Sequence, residues 1–249
     1  MRIVTWNLRH GAGGATWSRL QTDLHADVVL LQEATATPDH AEAIWEKVPD
    51  GRWGSAVVTA LGATRPILIQ GYEGWVVGAE VDSELGPLAV FSVHAPTSTA
   101  TYPRSHYTDE VVTILGLIRE AVRPGVHLVV GGDFNFTLGE RHAGEALKTS
   151  GRDRRALAAI ADAGLVSCWA ASHPDQPLPQ TLRWSRDKAP GKTTPYHCDG
   201  ILVPQSWSAW VTCDIHAEER YAVSDHNPVS ARVHLPATPS PPPTPPTGS

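Results

Sequence analysis

Glu33, His94, Asp133, Asn135, Asp199, Asp225 and His226 all stand where short apolar runs of this chain turn polar. DVVLLQE ends in Glu33, AVFSVHAP turns polar at His94, and HLVVGGDFN delivers Asp133 and Asn135 after two glycines. Towards the other end, YHCDGILVP places His197 and Asp199 before one run, and VSDHNPVS places Asp225 and His226 before another. A carboxylate at the end of a buried strand is costly to desolvate unless a cation or a donor satisfies it. Taken singly, each residue reads as a solvated strand end or a turn-former, and GGDFN has the composition of an Asp/Asn turn. Together they point to a site, because several independent runs make the same costly choice.

The residue types narrow the chemistry. Asp133 and Asn135 lie two apart, so in an extended segment both face the same side. An acid beside a neutral amide suits a water to be activated and a phosphoryl oxygen to be held. Gly131 and Gly132 let the backbone turn sharply or be approached closely. A histidine with an acid partner either keeps one tautomer or stays protonated and stabilises developing negative charge. A Ser–His–Asp hydrolase would use the same types, with Ser224 beside Asp225 and His226. The chain lacks the GxSxG elbow such a nucleophile needs. It also lacks HExxH and a GxxxxGKS phosphate loop.

Strands must carry these residues. Strand-like, β-branched runs cover Ile3 to Thr5, Val28 to Leu31, Ser55 to Thr59, Trp75 to Val81, Leu88 to Val93 and His127 to Val130. Later ones cover Ile201 to Val203, Trp210 to Ile215 and Val229 to Val233. Helical periodicity is clearest from Ser105 to Val122, where Val111, Ile114, Leu115, Ile118 and Val122 share a face. Pro38, after a capping Thr37, opens an expected second helix with Ala41, Ile44, Trp45 and Val48 inward. A third is expected from Asp153 to Ala163, stopping at Gly164. If the last strands run antiparallel to those carrying Glu33 and Asp133, their beginnings share a rim with the others' ends. Many strands and few helices imply two packed sheets flanked by helices.

Composition sets the outer bounds. At 41% hydrophobic the chain can bury a sizeable core, and its net charge of −6 does not suit a protein that coats nucleic acid with basic surface. An acidic balance still admits a phosphate substrate, since bound divalent cations reverse the local field of a carboxylate-rich site. Cys168, Cys198 and Cys213 form no CxxC pair and read as buried apolar thiols. MRIVTWNLRH lacks a signal peptide's apolar core, and no stretch approaches the ~20 apolar residues of a membrane span. A soluble, cytoplasmic monomer is expected. From Pro236 the sequence PATPSPPPTPPTGS reads as an extended, hydrated tail, so one domain over 1–235 and a tail over 236–249 are expected.

TWNLR, LLQE, SVHAP, GGDFN, HCDGILV and SDHNP occur in the order found in the endonuclease/exonuclease/phosphatase family, which the chain resembles from residue 2 to 234. The resemblance implies an α/β fold, a four-layer α/β/β/α sandwich of two mainly antiparallel sheets with the site at one rim. It implies a Mg²⁺-dependent phosphoric ester hydrolase, with Mn²⁺ as a substitute. The implied substrate is nucleic acid, DNA or RNA, and the alternative is a small or lipid phosphate ester. By motif position, Glu33 resembles the principal metal ligand with Asn7 beside it, and Asp225 a second metal-side carboxylate. Asp133 resembles the acid that orients or deprotonates the attacking water, and Asn135 a positioner of phosphate and water. Asp199 is similar to the acid that pairs with His226, and His226 to the group that stabilises the pentacovalent phosphorus. Abasic-site endonucleases carry Asp where this chain has Arg9, and Tyr where it has His94. Both residues here are closer to the pancreatic deoxyribonuclease pattern, in which the arginine meets a backbone phosphate. Glu73 is the candidate acid partner for His94. The pairs Trp17 with Trp53 and Trp184 with Tyr196 are candidates for stacking on bases.

Overall fold

Every strand-like run forms a strand. The structure, a computed structural model, describes residues 1–11, 16, 19–20, 22–36, 42–62, 64–96, 106–139, 149–183, 196–218 and 221–234. The tail from Pro236 lies outside them, as do Thr37, Pro38, Ala41, Trp17 and Trp184. The first sheet contains β1 (Arg2–Asn7), β2 (Val28–Ala34), β3 (Glu42–Lys47), β4 (Gly54–Thr59), β11 (Val211–Ile215) and β12 (Val229–Val233), in the order β11-β12-β1-β2-β4-β3. The second contains β5 (Thr64–Leu68), β6 (Val76–Ser83), β7 (Gly86–His94), β8 (His127–Asp133), β9 (Leu165–Ser167) and β10 (Asp199–Pro204), in the order β5-β6-β7-β8-β10-β9. Each sheet is antiparallel except for one central parallel pair, β1 with β2 and β7 with β8.

Alternation along the strands decides what faces what. Ile3, Val28, Leu30 and Val57 of the first sheet meet Val77, Ala79, Val90, Val129 and Ile201 of the second in the core between them. The opposite faces of β7 and β8 carry Phe91 and Val130. They pack on α1 (Tyr107–Ala121), which bridges the parallel pair, and on α2 (Gly151–Asp162). In α1 the buried face is Val111, Ile114, Leu115 and Ile118. Ser150 Oγ caps α2 by accepting the Asp153 N–H at 3.0 Å, and Gly164, at φ +70°, follows it. On the outer face of the first sheet Leu20, Leu24 and Tyr221 cover Val4, Trp6, Val29 and Leu31. Each such aliphatic side chain contributes roughly 1.5–3 kcal/mol on burial. No helix of the described residues is long and apolar enough to cross a membrane.

One polar bridge joins the sheets just below the rim. Gln32 Nε2 donates to Ser92 Oγ at 2.9 Å, and Ser92 Oγ donates to Leu31 O at 2.6 Å, both side chains fully buried. A mutually satisfied buried pair of this kind penalises any slip of one sheet over the other. It fixes the relative position of the β2 and β7 ends, which carry Glu33 and His94.

The helix expected from Pro38 to Val48 is a strand over its described part. β3 pairs antiparallel with β4, Ile44 facing Val57 and Trp45 facing Ala56. Ala43 packs with the outer cluster while its neighbour Ile44 packs with the core between the sheets. Adjacent residues facing opposite ways is a period of two, which the 3.6-residue spacing of Ala41, Ile44, Trp45 and Val48 concealed. Sheet pairing outweighed local helical preference. The edge strand β5, the short β9 and the five-residue α3 (Cys168–Ser172) carry no apolar period long enough to detect. In β5, Arg65 and Pro66 are exposed, as an edge strand permits.

Candidate active site

The register of the second sheet sets three of the polar residues in a row. His94 pairs with Asp133 across β7 and β8, and Asp133 pairs with Asp199 across β8 and β10. β8 runs so close to β7 there that a Cβ on Gly132 would fall 1.8 Å from Val93 O. Gly132 serves that approach, while a Cβ on Gly131 would fall 2.7 Å from Leu30 Cδ1 of the facing sheet. From the first sheet come Asn7 at the end of β1 and Glu33 near the end of β2, with Asp225 and His226 on the segment leading into β12. The beginnings of the late strands thus lie at the rim where the early ones end.

Asp133 is the hub. Its Oδ2 accepts Asn7 Nδ2 at 3.0 Å and lies 3.8 Å from His94 Nε2 and 3.9 Å from His226 Nε2. Its Oδ1 accepts the Asn135 backbone N–H at 2.9 Å. Asn135 Nδ2 donates to Ala95 O at 2.7 Å, which fixes the amide plane and leaves its oxygen for another donor. Asn7 Nδ2 also donates to Glu33 Oε1 at 3.2 Å, so one amide ties Glu33 to Asp133. Its Oδ1 accepts the Arg9 N–H at 2.9 Å, so Asn7 turns nitrogen, not oxygen, towards the carboxylates. That orientation differs from a metal ligand's.

His226 and Asp199 form a buried dyad. Nδ1 lies 2.9 and 3.0 Å from the two Asp199 oxygens, and Nε2 points out towards Asp133 and towards Asp225 Oδ1 at 3.9 Å. Burial favours the neutral imidazole. The charge and hydrogen bond of Asp199, with the charges of Asp133 and Asp225, outweigh it and raise the pKa to about 10. Burial pushes the Asp199 carboxyl up, while His226 pulls it down. The pair therefore holds a proton on the imidazole through neutral pH, since two further carboxylates add to the pull of Asp199. Thr181 Oγ1 accepts the Cys198 and Asp199 N–H groups at 3.0 and 3.1 Å and sets the dyad's floor.

Backbone strain concentrates here. Among described non-glycine residues, positive φ occurs at Arg9, His10, Glu33 and Asn135, and elsewhere only at His25. Such conformations cost about 1–3 kcal/mol each and persist where the surroundings impose them. Glu33 sits at a register shift between β2 and β4, which aims its carboxylate at the rim.

Several participants were not foreseen. His10 Nε2 lies 3.1 Å from Glu33 Oε2, yet nothing in its spacing marks it. Arg183 donates to Asn227 Oδ1 and Ser224 O while its backbone N–H holds Asp225 O at 2.8 Å, clamping the segment that carries Asp225 and His226. Ser224 is no nucleophile: its Oγ donates to Asn7 O at 2.7 Å and accepts the His226 N–H at 3.1 Å. Trp53 and Trp75 flank the His94 ring at 5.2 and 5.3 Å. Glu73 does not partner His94. Its Oε1 accepts the Gly71 N–H at 2.9 Å, a bond that holds its carboxyl below the usual range. His94 Nδ1 is buried without a hydrogen-bond partner. His197 is also buried, with Nδ1 on Pro179 O at 3.0 Å, and burial lowers its pKa to about 4. His25 and His234 are exposed, as ordinary loop residues would be. Arg9 is exposed, its Nη1 3.3 Å from Asp225 Oδ2.

The donor set fits a hard cation. Glu33, Asp133 and Asp225 offer oxygens to one rim, and the buried Asp225 Oδ1 has no hydrogen-bond partner. Oxygen-rich sites of this type suit Mg²⁺ or Mn²⁺. A cluster of ligand-type atoms among the described residues, Asp133, Cys198, Asp199 and His226, suits a hard ion less well. Asp199 is committed to His226, and burial holds the Cys198 thiol well above its ordinary pKa and so protonated.

A model of the endonuclease/exonuclease/phosphatase family matches residues 4–226. No curated protein matches the chain. Among solved structures, the chain is similar to the 3′ phosphatase NExo from Neisseria bound to a product DNA hairpin, with 18% identity and a TM-score of 0.71 over 94% of this chain and 100% of that one. An AP endonuclease from Archaeoglobus fulgidus gives 17% identity and a TM-score of 0.70 over the same shares. The endonuclease domain of TRAS1, a telomere-specific non-LTR retrotransposon, gives 13% and 0.66 over 94% and 98%.

Proposed function

Because the chain belongs to the endonuclease/exonuclease/phosphatase family, we propose that it hydrolyses phosphodiester bonds of nucleic acid with a bound divalent cation. The observation that carries this reading is the position of Asp133 Oδ2, within 3.9 Å of Asn7 Nδ2, His94 Nε2 and His226 Nε2 together. A carboxylate bonded to one amide nitrogen, flanked by two imidazole nitrogens and opening on a carboxylate-lined rim, is placed to take a proton from a water.

Phosphoryl transfer needs an aligned nucleophile and neutralisation of charge more than covalent help. Glu33 and Asp225 would hold the cation, Mg²⁺ or Mn²⁺, which when bound draws charge from the phosphoryl oxygens. Asn7 sets the separation of Glu33 from Asp133. Asp133 accepts the water's proton at Oδ2, and the Asn135 oxygen accepts the water's other hydrogen. The imidazolium of His226, kept charged by Asp199, presents its Nε2 proton to the non-bridging oxygens as charge builds. His94 presents Nε2 beside Asp133 from the other side, its ring clamped by Trp53 and Trp75. Arg9, exposed beside Asp225, offers its planar fork to a neighbouring phosphate. The solved structures similar to this chain include a 3′ phosphatase bound to a product DNA hairpin and an AP endonuclease, which supports a nucleic-acid substrate.

The test sets purified protein with Mg²⁺ against DNA, RNA, a phosphoinositide and sphingomyelin in parallel. Hydrolysis of DNA or RNA at the highest kcat/KM is expected. A clear preference for either lipid would replace the nucleic-acid reading with that of a small or lipid phosphate hydrolase.

A further inference from the structure

Cys198 touches the dyad, yet the hydrolytic reading gives its thiol nothing to do. Sγ donates to Asp199 Oδ2 at 3.5 Å. This sulfur, one oxygen each from Asp133 and Asp199, and a ring nitrogen of His226 lie within 4.8 Å of one another, all four residues buried. The combination of one sulfur, one imidazole nitrogen and two carboxylate oxygens is unlike the all-oxygen set that Mg²⁺ takes. It is a zinc set. Zn²⁺ takes such ligands tetrahedrally at about 2.0–2.3 Å, so ligand atoms stand roughly 3.5 Å apart. The four atoms need to close by only about an ångström to reach that separation. At the outer side of the cluster the buried Asp225 Oδ1, without a hydrogen-bond partner, lies 3.9 Å from His226 Nε2. It adds a negative charge where a cation would enter.

We propose that Asp133, Cys198, Asp199 and His226 form a site for a thiophilic divalent ion, Zn²⁺ or Cd²⁺, and that filling it silences the hydrolase. The cysteine thiol gives up its proton to solvent as the sulfur–metal bond forms, and the imidazolium gives up the proton of the ligating nitrogen. The ion then occupies the acid meant for the water and both members of the dyad. Mg²⁺ does not compete for the sulfur, so raising Mg²⁺ relieves the block poorly. The other two cysteines, Cys168 and Cys213, sit in the apolar core between the sheets and lack this surrounding set.

Silencing rests on the hydrolase reading, but ion binding does not, so the two are measured separately. The full chain, freed of metal, is titrated with Cd²⁺ while the ultraviolet thiolate-to-cadmium charge-transfer band is recorded. The band should rise to one equivalent in wild type and in a Cys168→Val/Cys213→Val variant, and be absent in Cys198→Val. A band that survives Cys198→Val, or that needs Cys168 and Cys213, overturns the site. Should Cys198→Val not fold, His226→Asn serves: the cadmium midpoint should rise at least about tenfold, the loss that even outer partners of a metal bring. An unchanged midpoint would show a lone thiol at work and end the proposal. In Mg²⁺ assays, half-inhibition of Cys198→Val by Zn²⁺, relative to its own uninhibited rate, should need at least about ten times the wild-type concentration. Equal inhibition of both overturns the silencing. If Cd²⁺ binds through Cys198 but no phosphate ester is cleaved, the site stands and the hydrolase reading falls.

Discussion

The two ends of the sandwich use the same residue types in opposite ways. At the pole where β1 begins and β12 ends, Arg2, His25, Asp27, Glu84, Arg232 and His234 border a shallow pocket. There Asp27 Oδ2 accepts the Arg2 N–H at 2.6 Å, Arg2 Nη1 donates to Leu24 O, and His25, Glu84, Arg232 and His234 face solvent. At the rim of the candidate site Asp133 and Asp199 are 2% and 1% exposed, and His94 and His226 are 8% and 7%. His94 Nδ1, His197 Nε2 and Asp225 Oδ1 lack hydrogen-bond partners there. Polar groups at the pole bond to main chain or face solvent and support folding. The acids and histidines buried at the rim are desolvated, and positive φ, found at the pole in His25 alone among described non-glycine residues, gathers beside them at Arg9, His10, Glu33 and Asn135, which natural folds tolerate where chemistry requires it.

The comparison can be broken from either end. At the rim, Asp133→Asn should lower turnover at least about 100-fold, the scale of positioned proton transfer, without lowering the melting temperature. The amide keeps the shape of the carboxylate and removes a negative charge that repels the neighbouring Asp199. A folded, metal-saturated variant with near-wild-type turnover would remove Asp133 from the reaction. Glu33→Gln should shift the Mg²⁺ activation midpoint upward by at least about tenfold, because an amide is a poorer ligand than a carboxylate. The same midpoint in both proteins would mean that Glu33 binds no cation.

Arg9→Ala should raise KM for a polymeric phosphodiester about tenfold, from a lost charge-assisted bond of ~1.5 kcal/mol, and barely alter a one-phosphate ester. Both are measured at fixed salt, since phosphate contacts are screened. Equal losses on both substrates would move Arg9 into the reacting centre.

His197 links the rim to stability. Its folded pKa of about 4 lies below the unfolded value of about 6.5, so the unfolded chain binds the proton more tightly. Folding should lose stability as pH falls from about 6.5 to about 4 and then level off, by about 3 kcal/mol in all. Denaturant titrations of wild type and His197→Asn should diverge in that window. Parallel curves would show that His197 is not held neutral. At the pole, Asp27→Ala should cost about 1 kcal/mol of stability through its lost bond to Arg2, with turnover unchanged. A fall in turnover there would erase the distinction between the two ends.

The rim was legible because desolvated charges at strand ends break an apolar pattern, and Glu33, Asp133 and Asp199 each did so. Strand register then converged them, which no spacing within a single strand encodes. His10 and the Arg183 clamp escaped notice because each acts through a contact formed only in the folded chain. His10 lies within the turn closed by the Gly11 N–H on Leu8 O, and Arg183 reaches 41 and 44 residues along the sequence to Ser224 and Asn227. Asn7 was placed beside Glu33, but its amide orientation depends on the Arg9 N–H, a turn contact invisible in composition. β3 was read as a helix because its apolar spacing fits both periods, and only pairing with β4 selects one.

The most direct test of the account is metal removal and return on the best of the four substrates. Wild-type protein should lose turnover when a chelator strips divalent cations and regain it when Mg²⁺ is restored. Asp133→Asn should stay inactive under both conditions while binding Mg²⁺. Turnover that survives chelation, or a protein that cleaves none of the four substrates with Mg²⁺ or Mn²⁺ present, would contradict a cation-dependent phosphodiesterase.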